Sequence, residues 1–342
     1  MAVENKVKVA VFGAGSIGCY VGGYLQSAGA AVTYIGRKRF AQRLKEHGLT
    51  LTHLERETIS LPPGSSDFHI TPEYISHADV ILVTVKSQDT DAAGKALAWH
   101  AKAGALVISL QNGVSNADVL RAHLPEHTVL AGMVAFNVTA AGPGVFHSGT
   151  EGGLVIEANS DPRLAALVTL FTIAGMPIET NENMDGVSWG KLLINLSNAV
   201  NALHGDTLLT GLSQRDYRKA LAASIEEGLN LCRSAEINPI PTGAVNLETM
   251  IKTLRLPNLL YKPLMKKMIK IDAAARSSML DDLEMGRPPE IDYLQGEIVR
   301  LAETQGTGAP VNAAILKATK AAFEAGVSPK LSGRQILSLV KT

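Results

Sequence analysis

Val7-Lys8-Val9-Ala10-Val11-Phe12, followed at once by Gly13-Ala14-Gly15-Ser16-Ile17-Gly18, is the stretch that decides the fold class. The first six residues read as a strand buried on both faces, the small-residue segment through Ala28 as a helix, and Ala31–Ile35 as a second strand. A glycine hexamer between a strand and a helix is the signature of a dinucleotide-binding turn. Gly13 permits the tight turn, Gly15 lets the backbone approach a pyrophosphate, and Gly18 lets helix and strand pack closely. Ala14, Ser16 and Ile17 complete a turn whose helix N-terminus offers free N–H groups to phosphates.

A site for NAD ordinarily carries an acid at the end of the second strand, where it bonds the ribose 2′-hydroxyl. Here that strand ends in Gly36-Arg37-Lys38-Arg39. A guanidinium can grip a 2′-phosphate through paired hydrogen bonds, so Arg37 points to NADP(H). The other reading of the basic run is a solvated loop cap, which fits Lys38 and Arg39 as well.

Outward from this turn, short apolar runs alternate with amphipathic or Ala-rich segments as far as about Glu157: Val80–Val85, Ala105–Leu110, Val129–Val138 and Gly153–Ile156. Most lack strict alternation, as strands covered on both faces do, so this half reads as a mostly parallel α/β sheet of the Rossmann type. Leu49 to Ile70, with Pro62-Pro63-Gly64, breaks the rhythm and reads as short edge strands and turns. After about Thr180 the texture becomes helical, punctuated at Pro239–Pro241, Pro257, Pro263 and Pro288-Pro289. The expected organisation is a nucleotide-binding domain over residues 1–180 and an all-helical domain over 181–342.

Over 342 residues, 32 Lys+Arg balance 32 Asp+Glu. No basic excess is available to neutralise phosphates, which argues against nucleic-acid binding. Cys19 and Cys232 form neither a disulfide framework nor a metal-ligand spacing, so no metal is expected and a reducing compartment is the simplest reading. Met1 to Lys6 is polar and runs straight into a strand, and no apolar run is long enough to span a bilayer, so the sequence reads as cytoplasmic with no membrane partner. Met265 and Met268, with Lys266 and Lys267, fit one amphipathic helix. His100, His147 and His204 have no spaced partner and read as solvated or hydrogen-bonded side chains, and Cys19 as a packing residue.

Five further stretches, in chain order, carry a more specific signal. They are Val83-Thr84-Val85-Lys86-Ser87-Gln88, Ser109-Leu110-Gln111-Asn112-Gly113-Val114, Trp189-Gly190-Lys191-Leu192-Leu193-Ile194-Asn195, Ser277-Ser278-Met279-Leu280-Asp281-Asp282 and Glu290-Ile291-Asp292-Tyr293. With them the chain resembles the ketopantoate reductase family over nearly its whole length. The resemblance implies a Rossmann domain joined to a helical domain of the 6-phosphogluconate-dehydrogenase-like kind, with the active site in the cleft. It implies NADPH-dependent reduction of 2-dehydropantoate to pantoate for coenzyme A synthesis. It also allows a homodimer, since the family's helical domain often packs against another copy.

Reducing a ketone places charge on oxygen, so the site needs a proton donor beside that oxygen and preorganised donors around it. Lys191 suits the donor. At about 100° per residue, Asn195 and Asn198 lie about 40° and about −20° from Lys191 around a helix, forming one polar stripe on an otherwise apolar segment. The stripe faces either water or a polar cleft. By resemblance Glu290, 99 residues further on, holds and polarises the Lys191 ammonium; its own setting after Pro288-Pro289 reads equally as a favourable charge at a helix start. By resemblance, too, Ser278 bonds the substrate carboxylate or hydroxyl, Asn112 contacts the nicotinamide ribose and the substrate region, and Lys86 lies along the cofactor. Without it, Asn112 before Gly113 is an ordinary turn asparagine and Lys86 a hydrated strand-end lysine. One departure stands out. Some family members carry a second asparagine eight residues after the lysine, where this chain has Ala199, with asparagines at Asn198 and Asn201. Asn198, closer to the Lys191 face, takes the substrate contact in this reading. Ala199 keeps open reduction of another small 2-keto acid; a non-catalytic NADP(H) sensor is the reading from a different class, and it leaves Lys191, Glu290 and Ser278 without a purpose.

Overall fold

Val9, Val11, Val80, Leu82, Leu106 and Ile108 alternate with Ala10, Ile81, Val83 and Val107 along three strands, and both sets are buried, in two separate apolar clusters on opposite faces of one sheet. Continuous apolar runs are what a parallel sheet covered on both sides requires. The computed structural model describes residues 7–241, 245–268 and 275–341. Met1–Lys6, and the side chains of Met265 to Met268, lie outside the described residues. The chain divides into two compact units, Met1–Met184 and Asp185–Thr342.

In the first unit the strands are β1 Lys8–Phe12, β2 Ala31–Ile35, β3 Leu49–His53, β4 Ile59–Leu61, β5 Asp67–His69, β6 Val80–Val83, β7 Leu106–Ser109, β8 Thr128–Val134, β9 Val138–Gly142, β10 Val145–Ser148, β11 Leu154–Glu157 and β12 Ile178–Asn181. Its helices are α1 Ser16–Ser27, α2 Lys38–His47, α3 Thr90–His100, α4 Asn116–His123 and α5 Pro162–Ile173. The main sheet runs β12-β11-β8-β7-β6-β1-β2-β5, parallel throughout except where β11 meets β8. From β1 the chain goes to β2 on one side and later to β6 on the other, so the order reverses at β1, the place where open α/β sheets bind ligands.

A second, four-stranded sheet, β4-β3-β10-β9, was not foreseen. The segment expected to be only an edge, Leu49 to Ile70, supplies β5 to the main sheet and β3 and β4 to this one. The expected single strand Val129–Val138 stops at Val134, and Val138 opens β9 in the other sheet. Between them Phe136, 3% exposed, packs on Tyr20 of α1 with ring centroids 5.5 Å apart. The run is apolar throughout because it crosses from one buried layer to the next, and hydropathy does not mark the crossing. Helix α1 is sandwiched between the sheets: a Cβ on Gly22 would meet the Tyr34 ring of β2 at 2.5 Å, and one on Gly23 would meet Leu49 and Leu51 of β3 at 2.8 Å. β12, which spans residue 180, pairs with β11 and so falls within the first unit.

The described residues after Met184 hold helices and no strand: α6 Met184–Asn195, α7 Ser197–His204, α8 Leu208–Ser213, α9 Arg215–Ser234, α10 Leu247–Arg255, α11 Asn258–Met268, α12 Ser278–Glu284, α13 Gln295–Thr304, α14 Pro310–Ala325 and α15 Gly333–Leu339. Arg218 of α9 is fully buried. Its guanidinium donates to the carbonyls of Leu254, Leu212 and Leu256 at 3.1, 2.8 and 2.8 Å and to Asn258 Oδ1 at 2.9 Å, and it stacks 3.8 Å above the Tyr261 ring. A cation there satisfies carbonyls at the C-terminal ends of α8 and α10, where helix dipoles favour positive charge.

Candidate active site

Four neighbouring strand ends carry the first unit's candidate residues in sheet order: Arg37 after β2, the glycine turn after β1, Lys86 after β6 and Asn112 after β7. The turn is held from both sides. The N–H groups of Gly13 and Ala14 donate to the Ile35 carbonyl at 2.9 and 2.8 Å, and Thr84 Oγ1 donates to the Gly13 carbonyl at 2.9 Å. Gly13 has φ +102°, and a Cβ on it would lie 2.5 Å from the Val85 nitrogen, so no other residue fits. A Cβ on Gly18 would meet Thr84 Oγ1 at 2.6 Å and Val11 Cγ1 at 2.9 Å, which is the close helix–strand contact expected of it. Gly15 differs: its Cβ would meet nothing nearer than the Gly13 carbonyl at 3.8 Å. The backbone is therefore open over Gly15, at the start of a helix that no side chain caps, and the first-turn N–H groups of Ser16, Ile17 and Gly18 have no acceptor within their helix. A tight glycine, an open glycine and a packed glycine around an uncapped helix N-terminus fit a pyrophosphate.

No carboxylate stands at the end of β2. Arg37 is exposed, and among the described residues its guanidinium takes part in no hydrogen bond or ion pair. Gly36 before it touches Ala14, where a Cβ would come within 3.0 Å of the Ala14 carbonyl, so Arg37 leaves the sheet directly beside the glycine turn. This set fits a dinucleotide bearing a 2′-phosphate. Lys86 is half-buried and opens a 3-10 turn over Ser87–Asp89; the Asn112 side chain is exposed while its carbonyl accepts a hydrogen bond from Ser87 Oγ at 2.9 Å.

In the second unit Lys191 lies on α6, half-buried, and burial lowers its pKa below the ordinary lysine value. Among the described residues no hydrogen bond or ion pair of Lys191 occurs, so the Glu290 contact implied by resemblance is not made in this structure. Glu290 itself stands at the head of the 3-10 turn Ile291–Tyr293. Asn195 and Asn198 are both half-buried, but the helix carrying them is not continuous: α6 ends at Asn195 and α7 starts at Ser197. The Leu196 carbonyl turns aside to accept from the buried Gln295 Nε2 at 2.9 Å.

Burial distinguishes Asn201 and Ser277 from Asn198 and Ser278. Asn201 is fully buried and uses both ends of its amide: Nδ2 donates to the Asp206 carbonyl at 2.8 Å, and Oδ1 accepts from the Ser277 N–H at 3.0 Å. Ser277, 3% exposed, caps α12 through the Leu280 N–H and donates to the Asn198 carbonyl at 3.1 Å. Both belong to the tie between α7 and α12, whereas Asn198 is half-buried and Ser278 exposed. Ala199 is fully buried in α7.

Sequence reasoning gave no role to several residues that shape the site. Thr84 latches the glycine turn. Gly190, one residue before Lys191, lies under the Pro239–Pro241 segment: Ile240 N–H donates to the Gly186 carbonyl at 2.8 Å, and a Cβ on Gly190 would come 1.8 Å from the Ile240 carbonyl. The signal available was the Gly186–Gly190 spacing, two small residues one helical turn apart. Cys19, by contrast, behaves as a packing residue: it is buried, burial raises its pKa, and its Sγ contacts the Ala14 carbonyl. Among the described residues no cluster of metal-ligand side chains occurs and no helix is long and apolar enough to cross a membrane.

A parallel sheet with a dinucleotide turn at its switch point, followed by a helical unit, is the architecture of two-domain nicotinamide-dependent oxidoreductases. The chain belongs to the ketopantoate reductase family: residues 9–161 match the family described as ketopantoate reductase PanE/ApbA, and residues 183–323 match its C-terminal counterpart. A 2-dehydropantoate 2-reductase of Halobacterium salinarum is 29% identical over 311 residues, 89% of this chain and 95% of that protein. One from Pyrococcus horikoshii is 27% identical, covering 95% of this chain and 100% of its own. The crystal structure of a PanE/ApbA family ketopantoate reductase from Ralstonia eutropha is 31% identical, covers 93% of this chain and 99% of that one, and superposes with a TM-score of 0.78.

Proposed function

We propose that this chain is an NADPH-dependent 2-dehydropantoate 2-reductase. The observation that carries the chemistry is Lys191: a half-buried ammonium on α6 with a lowered pKa and no hydrogen bond or ion pair among the described residues suits a proton donor kept available for a reacting group. When bound, NADPH supplies the hydride that adds to the keto carbon. The N–H groups of Ser16 to Gly18, opened by Gly15, hold its pyrophosphate; Arg37 takes the 2′-phosphate; Lys86 and Asn112 lie along the nicotinamide half. Lys191 Nζ gives its proton to the keto oxygen as that oxygen gains charge, so the ketone becomes a secondary alcohol and the lysine leaves the step neutral. Asn195 and Asn198 hydrogen-bond the substrate, and Ser278 at the start of α12 receives its carboxylate or hydroxyl. Glu290 is assigned to hold and polarise the ammonium: its negative charge would raise the proton affinity of the neutral amine, which takes its proton back from water between turnovers.

The test is oxidation of NADPH with ketopantoate, followed by loss of nicotinamide absorbance, beside NADH and a panel of other small 2-keto acids. Rapid turnover with NADPH and ketopantoate is expected. Turnover confined to a different keto acid would shift the substrate and make the packing around Ala199 the first place to look, and tight NADPH binding without turnover on any keto acid would overturn the enzymatic reading. Size-exclusion chromatography with light scattering tests the homodimer that accompanies it.

A further inference from the structure

Beneath the loops carrying Lys86 and Asn112, five polar side chains are closed off from solvent: Ser87, Thr90, Ser109, Gln111 and Asn116, none more than 9% exposed. They form one connected network. Ser109 Oγ donates to Gln111 Oε1 at 2.9 Å, and Gln111 Nε2 donates to the Val85 carbonyl at 3.1 Å and to Thr90 Oγ1 at 2.7 Å. Thr90 Oγ1 lies 2.8 Å from the Ser87 carbonyl and 2.7 Å from Asn116 Oδ1. Asn116 Nδ2 donates to Ser87 Oγ at 3.1 Å and to the Asn112 carbonyl, which also accepts from Ser87 Oγ. These bonds allow the Asn116 amide one orientation, with its oxygen toward Thr90 and both its protons used. The result is a Asn112 backbone pinned inward by two donors. Its side chain points outward, and the following Gly113, at φ +92°, turns the chain away.

We infer that Asn116 is a positioning residue: it locks the Asn112 loop to the Lys86–Ser87 turn, so that both side chains meet the nicotinamide end of the cofactor in one fixed geometry. A buried polar network costs desolvation and returns a single register when every member is satisfied. Five satisfied side chains bridging two loops do not extend either helix; they fix the spacing of the loops. The inference rests on the roles proposed above for Lys86 and Asn112.

The test uses the full-length protein and five variants: Asn116→Ala, Asn116→Asp, Thr90→Val, Asn112→Ala and the double Asn112→Ala/Asn116→Ala. Asn116→Ala is expected to lower kcat with ketopantoate by about 10–100-fold and to weaken NADPH binding by about 10-fold, the scale of a misplacement on the order of 1 Å. Since Asn116 acts through Asn112, the double variant should lie within about 3-fold of Asn112→Ala in kcat. Asn116→Asp should lose activity at neutral pH and regain part of it as the pH falls through the carboxyl range, where a protonated carboxyl again has a proton for the Asn112 carbonyl. Thr90→Val, which keeps the shape of the core, should move kcat in the same direction by less, and it carries the test if Asn116→Ala fails to fold. A lowered melting temperature with wild-type kcat and wild-type NADPH affinity would overturn the inference, as would losses that multiply in the double variant. If the wild-type protein does not reduce ketopantoate, the functional reading falls, and the inference is then decided by NADPH affinity alone.

Discussion

Two cations of the helical unit, the buried Arg218 and the half-buried Lys191, have very different surroundings. Arg218 has three carbonyls, the Asn258 side chain and the Tyr261 ring around it. Lys191 has no partner among the described residues, and burial lowers its pKa. Burial lowers the pKa of both, so the difference between them lies in their partners among the described residues. A cation matched on all sides serves the fold, and one without a described partner has hydrogen-bonding capacity left for a ligand.

Four variants test that difference. Arg218→Met leaves three carbonyls and an amide oxygen without donors in a dry site, and should destabilise the protein by about 2–4 kcal/mol in chemical denaturation; a change within about 0.5 kcal/mol would remove Arg218 from its structural role. Arg37→Ala, at an exposed cation with no side-chain partner among the described residues, should weaken NADPH by about 10–100-fold and NADH by less than about 3-fold, with no loss of stability. Equal losses for both cofactors would refute the 2′-phosphate assignment. Glu290→Gln probes a pairing absent from this structure. A nearby carboxylate raises an ammonium's pKa, so removing it should move the alkaline limb of the kcat–pH profile to lower pH; an unchanged profile would confine Glu290 to the head of its 3-10 turn.

The smallest effect concerns stability. A lysine whose folded pKa lies below its unfolded value penalises folding wherever the ammonium is charged, that is, below the folded pKa, and the penalty fades as pH rises toward the ordinary value of 10.5. Lys191→Met should therefore melt slightly above wild type at neutral pH, with the gap narrowing in alkali. Calorimetry across that range checks it, and a variant that melts lower throughout would show that Lys191 is favourably held.

The glycine turn was legible because each of its glycines answers a local demand: a positive φ at Gly13, an open approach at Gly15, a close contact at Gly18. The strands of the parallel sheet were legible because burial on both faces leaves a continuous apolar run. The second sheet was not, since β3 pairs with β10 across nearly a hundred residues of sequence and its strands are short and half-exposed. In the helical unit the sequence placed Lys191, Asn195 and Asn198 on one stripe. It could not show that Leu196 separates α6 from α7, or that its carbonyl accepts from Gln295, far along the chain. Ser278 was chosen by resemblance and Asn198 by its angle around the helix; that Ser277 is tied to Asn201 and to the Asn198 carbonyl is a tertiary contact that spacing does not show.

The account stands or falls on Lys191 as the proton donor, and the most direct measurement is kcat for ketopantoate beside the NADPH dissociation constant, in wild type and Lys191→Met. The account predicts a loss of about 10²–10⁴-fold in kcat with NADPH affinity unchanged. Wild-type turnover in the variant, or a parallel loss of NADPH binding, would contradict it.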